Sequence, residues 1–208
     1  AARACRCPLI GGNLARASEL SVTTTVLGRV QSPLSRDGAV PGDELWLAGR
    51  VGLAAMGLRA LAQGLRRGAA VSACIESWRR PRALLREGLR WANRAHAAID
   101  VSDGLAGDAR HIAASSRVRI VVDARALAAT LAPELVEAAR RSRLDPLELA
   151  LYGGEDYALL GAGLRSRRPR GTLVIGRVER GRGVFLERGD ERTPLTGAFD
   201  HFARARGR

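Results

Sequence analysis

Hydrophobic and polar positions change their period several times along the chain, and each change predicts an element. Leu20 to Val30 (LSVTTTVLGRV) is dense in β-branched residues and predicts a strand. The stretch that follows, SPLSRDGAVPGD, is broken by Pro, Gly and Asp and predicts a loop at a domain boundary, dividing residues 1–33 from 34–208. Glu44 to Ala48 predicts a short buried strand. From Val51 to Arg67, Leu53, Met56, Ala60, Leu61 and Leu65 recur at helical spacing, and a second helix from about Arg82 to Ala95 follows Pro81. Ala97 to Val101 predicts a strand that runs into a turn and then a helix from about Gly104 to Ala114. Arg119 to Asp123 (RIVVD) is a further strand, and helices follow near Pro133 to Arg143 and Pro146 to Tyr152. The last of these is announced by Asp145 as a cap, Pro146 at the first helical position and Glu148 as a capping-box acid. TLVIGRVERGRGVFLERG reads as a β-hairpin. Strands and helices alternate irregularly, so the fold class is α/β or α+β rather than a helical bundle.

Composition narrows the chemistry. The 208 residues carry 34 basic and 21 acidic side chains, a formal charge of +13, and every basic residue among them is Arg. Without lysine there is no P-loop lysine and no Schiff-base chemistry. No apolar run approaches the roughly 18 residues of a membrane span, so no membrane partner is expected. The charge suits polyanions, but the arginines are scattered and aromatics make up only 4%, which favours an Arg-rich background over a nucleic-acid partner. Cys5, Cys7 and Cys74 are too few for a zinc site with His96, His111 and His201, none of which shows ligand spacing. His111 is expected to pack within its helix. Sparse cysteine points to a reducing, cytoplasmic setting. The opening AARACRCPLI reads as the interior of a longer chain.

Three stretches could carry chemistry. In AIDVSDGLAGDARHI, Asp100 and Ser102 lie two apart on a strand and share a face, with Asp103 at the turn into a helix. Carboxylate oxygens are what Mg²⁺ prefers, and helix N–H groups favour phosphate. Alternatively Asp103 caps its helix and Asp100 closes a turn. In LYGGEDYALL, Gly153 and Gly154 permit close backbone approach, and Glu155-Asp156 open an otherwise apolar strand; a helix C-cap with an exposed turn is the other reading. LIGGNLARA places Gly12 and Asn13 after an apolar segment, as a common turn also would. Gly49, Gly52 and Gly57 do not have dinucleotide-binding spacing and read as helix packing on the preceding strand.

Taken together and in order, LIGGNLARA, SVTTTVLG, LSRDGAVPGDELWLAG, AAIDVSDGLAGDARHI, ALYGGEDYALL and the closing TGAFDHF resemble the thiamine-monophosphate kinase family. That family shares a superfamily with aminoimidazole ribonucleotide synthetase, selenophosphate synthetase and a hydrogenase maturation factor. The resemblance implies transfer of the γ-phosphoryl group of ATP to thiamine phosphate with Mg²⁺. It also implies an N-terminal domain that dimerises through its sheet, of which residues 1–33 would be a remnant, and a C-terminal α+β domain. It assigns Asp100, Asp103 and Asn13 to metal, Arg36, Ser102 and Gly12 to ATP, and Glu155 and Phe199 to thiamine phosphate. Asn13 stands where the family usually carries Asp, keeping an oxygen ligand and losing a charge. The family's upstream acidic segment finds no match before Cys7-Pro8, so this chain alone is expected to turn over poorly and its intact parent to be a kinase. Rival readings are another ATP-dependent enzyme of the same superfamily and a catalytically silent nucleotide-binding module.

Overall fold

The computed structural model describes residues 2–3 and 5–196, so Phe199 and the rest of the FDHF motif lie outside the described residues. The chain divides into two units, Ala1–Pro33 and Leu34–Arg208. In the first, the described residues are exposed and form neither helix nor strand. The strand expected from Leu20 to Val30 is therefore absent. A strand exists only through its ladder, and among the described residues no segment pairs with this one; Leu20 stays 94% exposed.

In the second unit, seven strands form one sheet: β1 (Glu44–Ala48), β2 (Ala97–Val101), β3 (Arg119–Asp123), β4 (Ala158–Gly163), β5 (Leu173–Glu179), β6 (Gly183–Arg188) and β7 (Glu191–Pro194), in the order β2-β4-β1-β5-β3-β6-β7. The helices are α1 (Leu53–Ala62), α2 (Ala69–Arg79), α3 (Leu85–Trp91), α4 (Leu105–Ser116), α5 (Ala124–Thr130), α6 (Pro133–Arg141) and α7 (Pro146–Tyr152). None is long and apolar enough to cross a membrane. The architecture is α+β, as the irregular alternation implies. β1, β2, β3 and α7 have the bounds expected from their patterns, and Asp145 caps α7 by accepting the Leu147 N–H at 2.8 Å.

Side-chain alternation along the strands sorts two faces. Leu45, Leu47, Leu160, Ala162, Ile120 and Val122 point to one face, into a core shared with α4, α5 and α7. Beyond it, α1, α2 and α6 bury Met56, Cys74 and Leu135 in a core of their own. Trp46 and Leu159 point the other way, where Trp91 from α3 meets Trp46 edge-on with ring centroids 6.0 Å apart. Gly161 and Gly163 leave room for these rings: a Cβ on Gly161 would lie 2.8 Å from Trp91.

Four expectations are corrected. β5 and β6 do not form a hairpin, because β3 lies between them, antiparallel to β5 and parallel to β6. The connection steps over β3, with the Arg119 guanidinium filling the space beside Gly181 and resting 5.3 Å from the Phe185 ring. The helix from Val51 is shorter than its apolar pattern, ending at Ala62 before Gly64, whose φ of 70° is left-handed. The helix expected from Arg82 to Ala95 reduces to α3, while α2 and α5 are elements the pattern did not announce. Gly57 packs on α2 rather than on a strand, since a Cβ there would collide with the carbonyl of Cys74.

Candidate functional site

Antiparallel pairing of β2 with β4 sets Val101 opposite Ala158 and Asp100 opposite Leu159. The segment leaving β2 and the segment entering β4 therefore meet at one end of the sheet. Glu155 donates its backbone N–H to the Ser102 carbonyl at 2.8 Å, and Tyr157 donates to Val101 at 2.9 Å. Gly154 sits so close to the Ser102 carbonyl that a Cβ would collide with it. Glu155 and Tyr157 have φ of 67° and 49°. Left-handed backbone at two non-glycine residues costs on the order of 1–3 kcal/mol each and persists only where the surroundings enforce it. Here the enforcing bonds are those to Val101 and Ser102.

The acids gather around this junction. Ile99 and Val101 face the core, so Asp100 faces outward and is exposed. The N-cap position of α4 is Gly104, so Asp103 sits one residue before it. Asp108, one turn into α4 and 2% exposed, reaches back and accepts the Asp103 backbone N–H at 3.2 Å. Burial pushes the Asp108 carboxyl up to about 6, against the Asp103 hydrogen bond and with added repulsion from Asp103 and Asp100. Tyr157 is held above the usual phenol range, first by burial and then by the charges of Glu155, Asp100 and Asp103, and its hydroxyl donates to Glu155 at 3.3 Å. One phenol thus lies within electrostatic reach of three carboxylates from two separate segments. Asp103, Asp108 and His111 each offer a ligand atom within 4.8 Å of the others. His111 is exposed, not packed as expected, and lies one turn beyond Asp108 on the same helix side.

On the other side of the GGEDY loop, Asp156 divides its two carboxylate oxygens between the first amides of α1: Gly52 at 2.6 Å and Ala54 at 3.0 Å. This explains the adjacent acids at the start of β4: one caps a distant helix and the other points into solvent. Burial raises the Asp156 carboxyl to about 7 despite the two N–H donors, with Glu155 adding repulsion. A cleft of about 360 Å³ adjoins it, lined by Arg50, Arg80 and Arg82 among others.

Residues 40–188 match the model of the family described as AIR synthase related protein, C-terminal domain. The chain belongs to this family. This AIR synthase related domain is similar to the thiamine-monophosphate kinase of Aquifex aeolicus, 34% identical over 191 residues, which cover 89% of this chain and 62% of that protein. It is also similar to the thiamine-monophosphate kinase of Mycobacterium tuberculosis strain H37Rv, 36% identical over 195 residues, covering 91% and 56%. A solved structure, "AaThiL complexed with AMPPCP and TMP", superposes with a TM-score of 0.72 at 33% identity, over 81% of this chain and 54% of the other. The chain therefore spans little more than half the length of the relatives it matches.

Within the AIR synthase related domain, Asp100, Ser102, Asp103 and Glu155 are brought together at one sheet end. Arg36 lies beside β2: the preceding Ser35 carbonyl accepts the Ala98 N–H at 2.8 Å, two residues along the strand from Asp100, and the Arg36 carbonyl accepts Ser116 Oγ at 3.4 Å. Gly12 and Asn13 belong to the first unit and are exposed. Phe199 lies outside the described residues. For a divalent cation, the Asp103 and Asp108 carboxylates supply the oxygen ligands that Mg²⁺ takes, while His111 offers a nitrogen that Mg²⁺ does not favour. The donor set fits Mg²⁺ through its carboxylates. Asp108 and Tyr157 were missed from sequence, and Asp156 was named there without its bonds to the start of α1. The spacing of Asp108 to His111 on one helix side was the available signal for the first.

Proposed function

We propose that this chain is part of an enzyme that transfers the γ-phosphoryl group of ATP to thiamine phosphate, giving thiamine diphosphate. The observation carrying this reading is the junction itself, where Asp100 on β2, Asp103 just after it and Glu155 from the GGEDY loop converge through the Ser102–Glu155 and Val101–Tyr157 hydrogen bonds. The similarity to thiamine-monophosphate kinases supports the choice of substrates.

The acceptor is already a phosphate oxygen, so no general base is required and no residue is assigned one. The obstacle is charge: one pair of unit charges at about 4 Å repels by about 4 kcal/mol at an effective dielectric near 20. Mg²⁺, when bound, supplies neutralisation of that repulsion. Asp100 and Asp103 are the ligands proposed for it, with Asp108 beside them and Asn13 as a further oxygen donor from the first unit. Ser102, Gly12 and Arg36 are proposed contacts to ATP, the last through its guanidinium fork. Glu155 and Phe199 are proposed contacts to thiamine phosphate. Residues 1–33 are proposed as part of an ATP-binding and dimerising domain, and the intact protein as a cytoplasmic homodimer. Three cysteines without a disulfide support a reducing compartment.

The test is calorimetric titration of the chain with ATP and with thiamine phosphate, each with and without Mg²⁺, paired with ADP release by the longer parent polypeptide. The expected result is Mg²⁺-dependent nucleotide binding, and ADP release that requires thiamine phosphate. ATP consumption indifferent to thiamine phosphate would refute the assignment.

A further inference from the structure

The GGEDY loop is held from two directions, and the two anchors do different work. The amides of Glu155 and Tyr157 tie the loop to the end of β2, and between them the Asp156 side chain ties it to the start of α1. The residues on either side of Asp156 are the two left-handed ones. Turning Asp156 toward α1 thus turns Glu155 and Tyr157 the other way, toward Asp100 and Asp103. The start of α1 is itself closely packed: Gly52 has a φ of 88° and lacks room for a Cβ between Leu135 and Ala150. We infer that Asp156 is a positioning residue: its carboxylate, seated on the amides of Gly52 and Ala54, sets the conformation that presents Glu155 and Tyr157 at the acidic junction. The α1 cap is the means, and the orientation of Glu155 is the consequence. Naming thiamine phosphate as the ligand that feels this orientation rests on the proposed function; the seating of the loop does not.

Amide hydrogen exchange on the full chain, followed residue by residue by NMR, separates the two. Asp156→Ala removes both acceptors. Exchange at Glu155 and Tyr157 is expected to accelerate at least about tenfold, together with Gly52 and Ala54, while amides of β3 keep their rates. Acceleration confined to Gly52 and Ala54 would reduce Asp156 to a helix cap and overturn the inference. Should Asp156→Ala lose protection throughout, Asp156→Asn retains one acceptor: a smaller acceleration at the same four amides supports the inference, and unchanged rates at Glu155 and Tyr157 overturn it. In parallel, the thiamine phosphate Kd is expected to rise about tenfold or more in the variant with the ATP Kd unchanged. An unchanged thiamine phosphate Kd in a variant whose Glu155 amide has been released overturns the positioning role. If the wild-type chain and its longer parent bind no thiamine phosphate at all, the kinase reading fails while the exchange data still decide how the loop is held.

Discussion

Asp108 accepts the backbone N–H of Asp103 from a nearly inaccessible position one turn into α4. The bond closes the turn between β2 and α4, so the Asp103 backbone is held by a side chain of the helix that follows it. Asp108→Ala is expected to release that backbone and weaken divalent-cation binding at least about tenfold, equivalent to about 1.4 kcal/mol. Titration with Mn²⁺, read by electron paramagnetic resonance, checks it; unaltered affinity would remove Asp108 from the site.

Gly154 lies against the Ser102 carbonyl with no space for a methyl group. Gly154→Ala must therefore push the two loops apart or break the Glu155–Ser102 hydrogen bond. A cost of about 1–3 kcal/mol is expected, as for other overpacking changes, with loss of the coupling between the loops. Urea denaturation measures the first and exchange of the Glu155 amide the second.

The Asp156 carboxyl, raised by burial to about 7 from an ordinary 3.8, makes stability depend on pH in a definite direction. The folded chain keeps a proton that the unfolded chain gives up near pH 4. This contribution is complete below about pH 4 and is lost as pH rises through 7, by an amount on the order of a few kcal/mol. Glu155 beside it adds repulsion, Cys74 on α2 feels its charge, and Arg50, Arg80, Arg82 and Glu87 line the same cleft. Glu187, paired with Arg177 and lowered to about 2, acts in the opposite sense. The measurement is therefore a difference: the stability of wild type minus that of Asp156→Asn should decline from pH 4 to pH 7 and then level off. A flat difference would show that Asp156 is ionised throughout.

Trp46 lies on the sheet face that also carries Asp100, two strands away from it, fully buried against Gly163 and Trp91, with its indole N–H donating to Glu44 at 3.0 Å. Trp46→Ala is expected to cost about 3–5 kcal/mol. Because the GGEDY loop is anchored on Val101, Ser102, Gly52 and Ala54 and not on Trp46, ligand affinities of the folded variant should stay at wild-type values. Thermal melting and the titrations described above check both halves.

Elements whose cause is local were legible in the chain. The apolar run of Glu44 to Ala48, the β-branched RIVVD and the Asp145-Pro146 start of α7 each carry their reason within a few residues. The acidic motifs were legible as motifs too, since DVSDG and GGEDY announce glycine turns beside carboxylates. Leu20 to Val30 carries an equally good strand pattern and forms none, because the pattern supplies a face and not a partner.

Sequence alone therefore determined the residue types at the site, a mixed class of α/β or α+β, and most of the local elements, all of which follow from neighbours along the chain. Only the tertiary structure decided that β3 enters between β5 and β6, that β2 pairs with β4 so the two acidic loops touch, and that Asp108 and Asp156 turn inward while Asp100 and Glu155 turn out. Those outcomes depend on hydrogen bonds between segments tens of residues apart, and on which face of the sheet the helices cover. No period of 2 or 3.6 along a single segment encodes either.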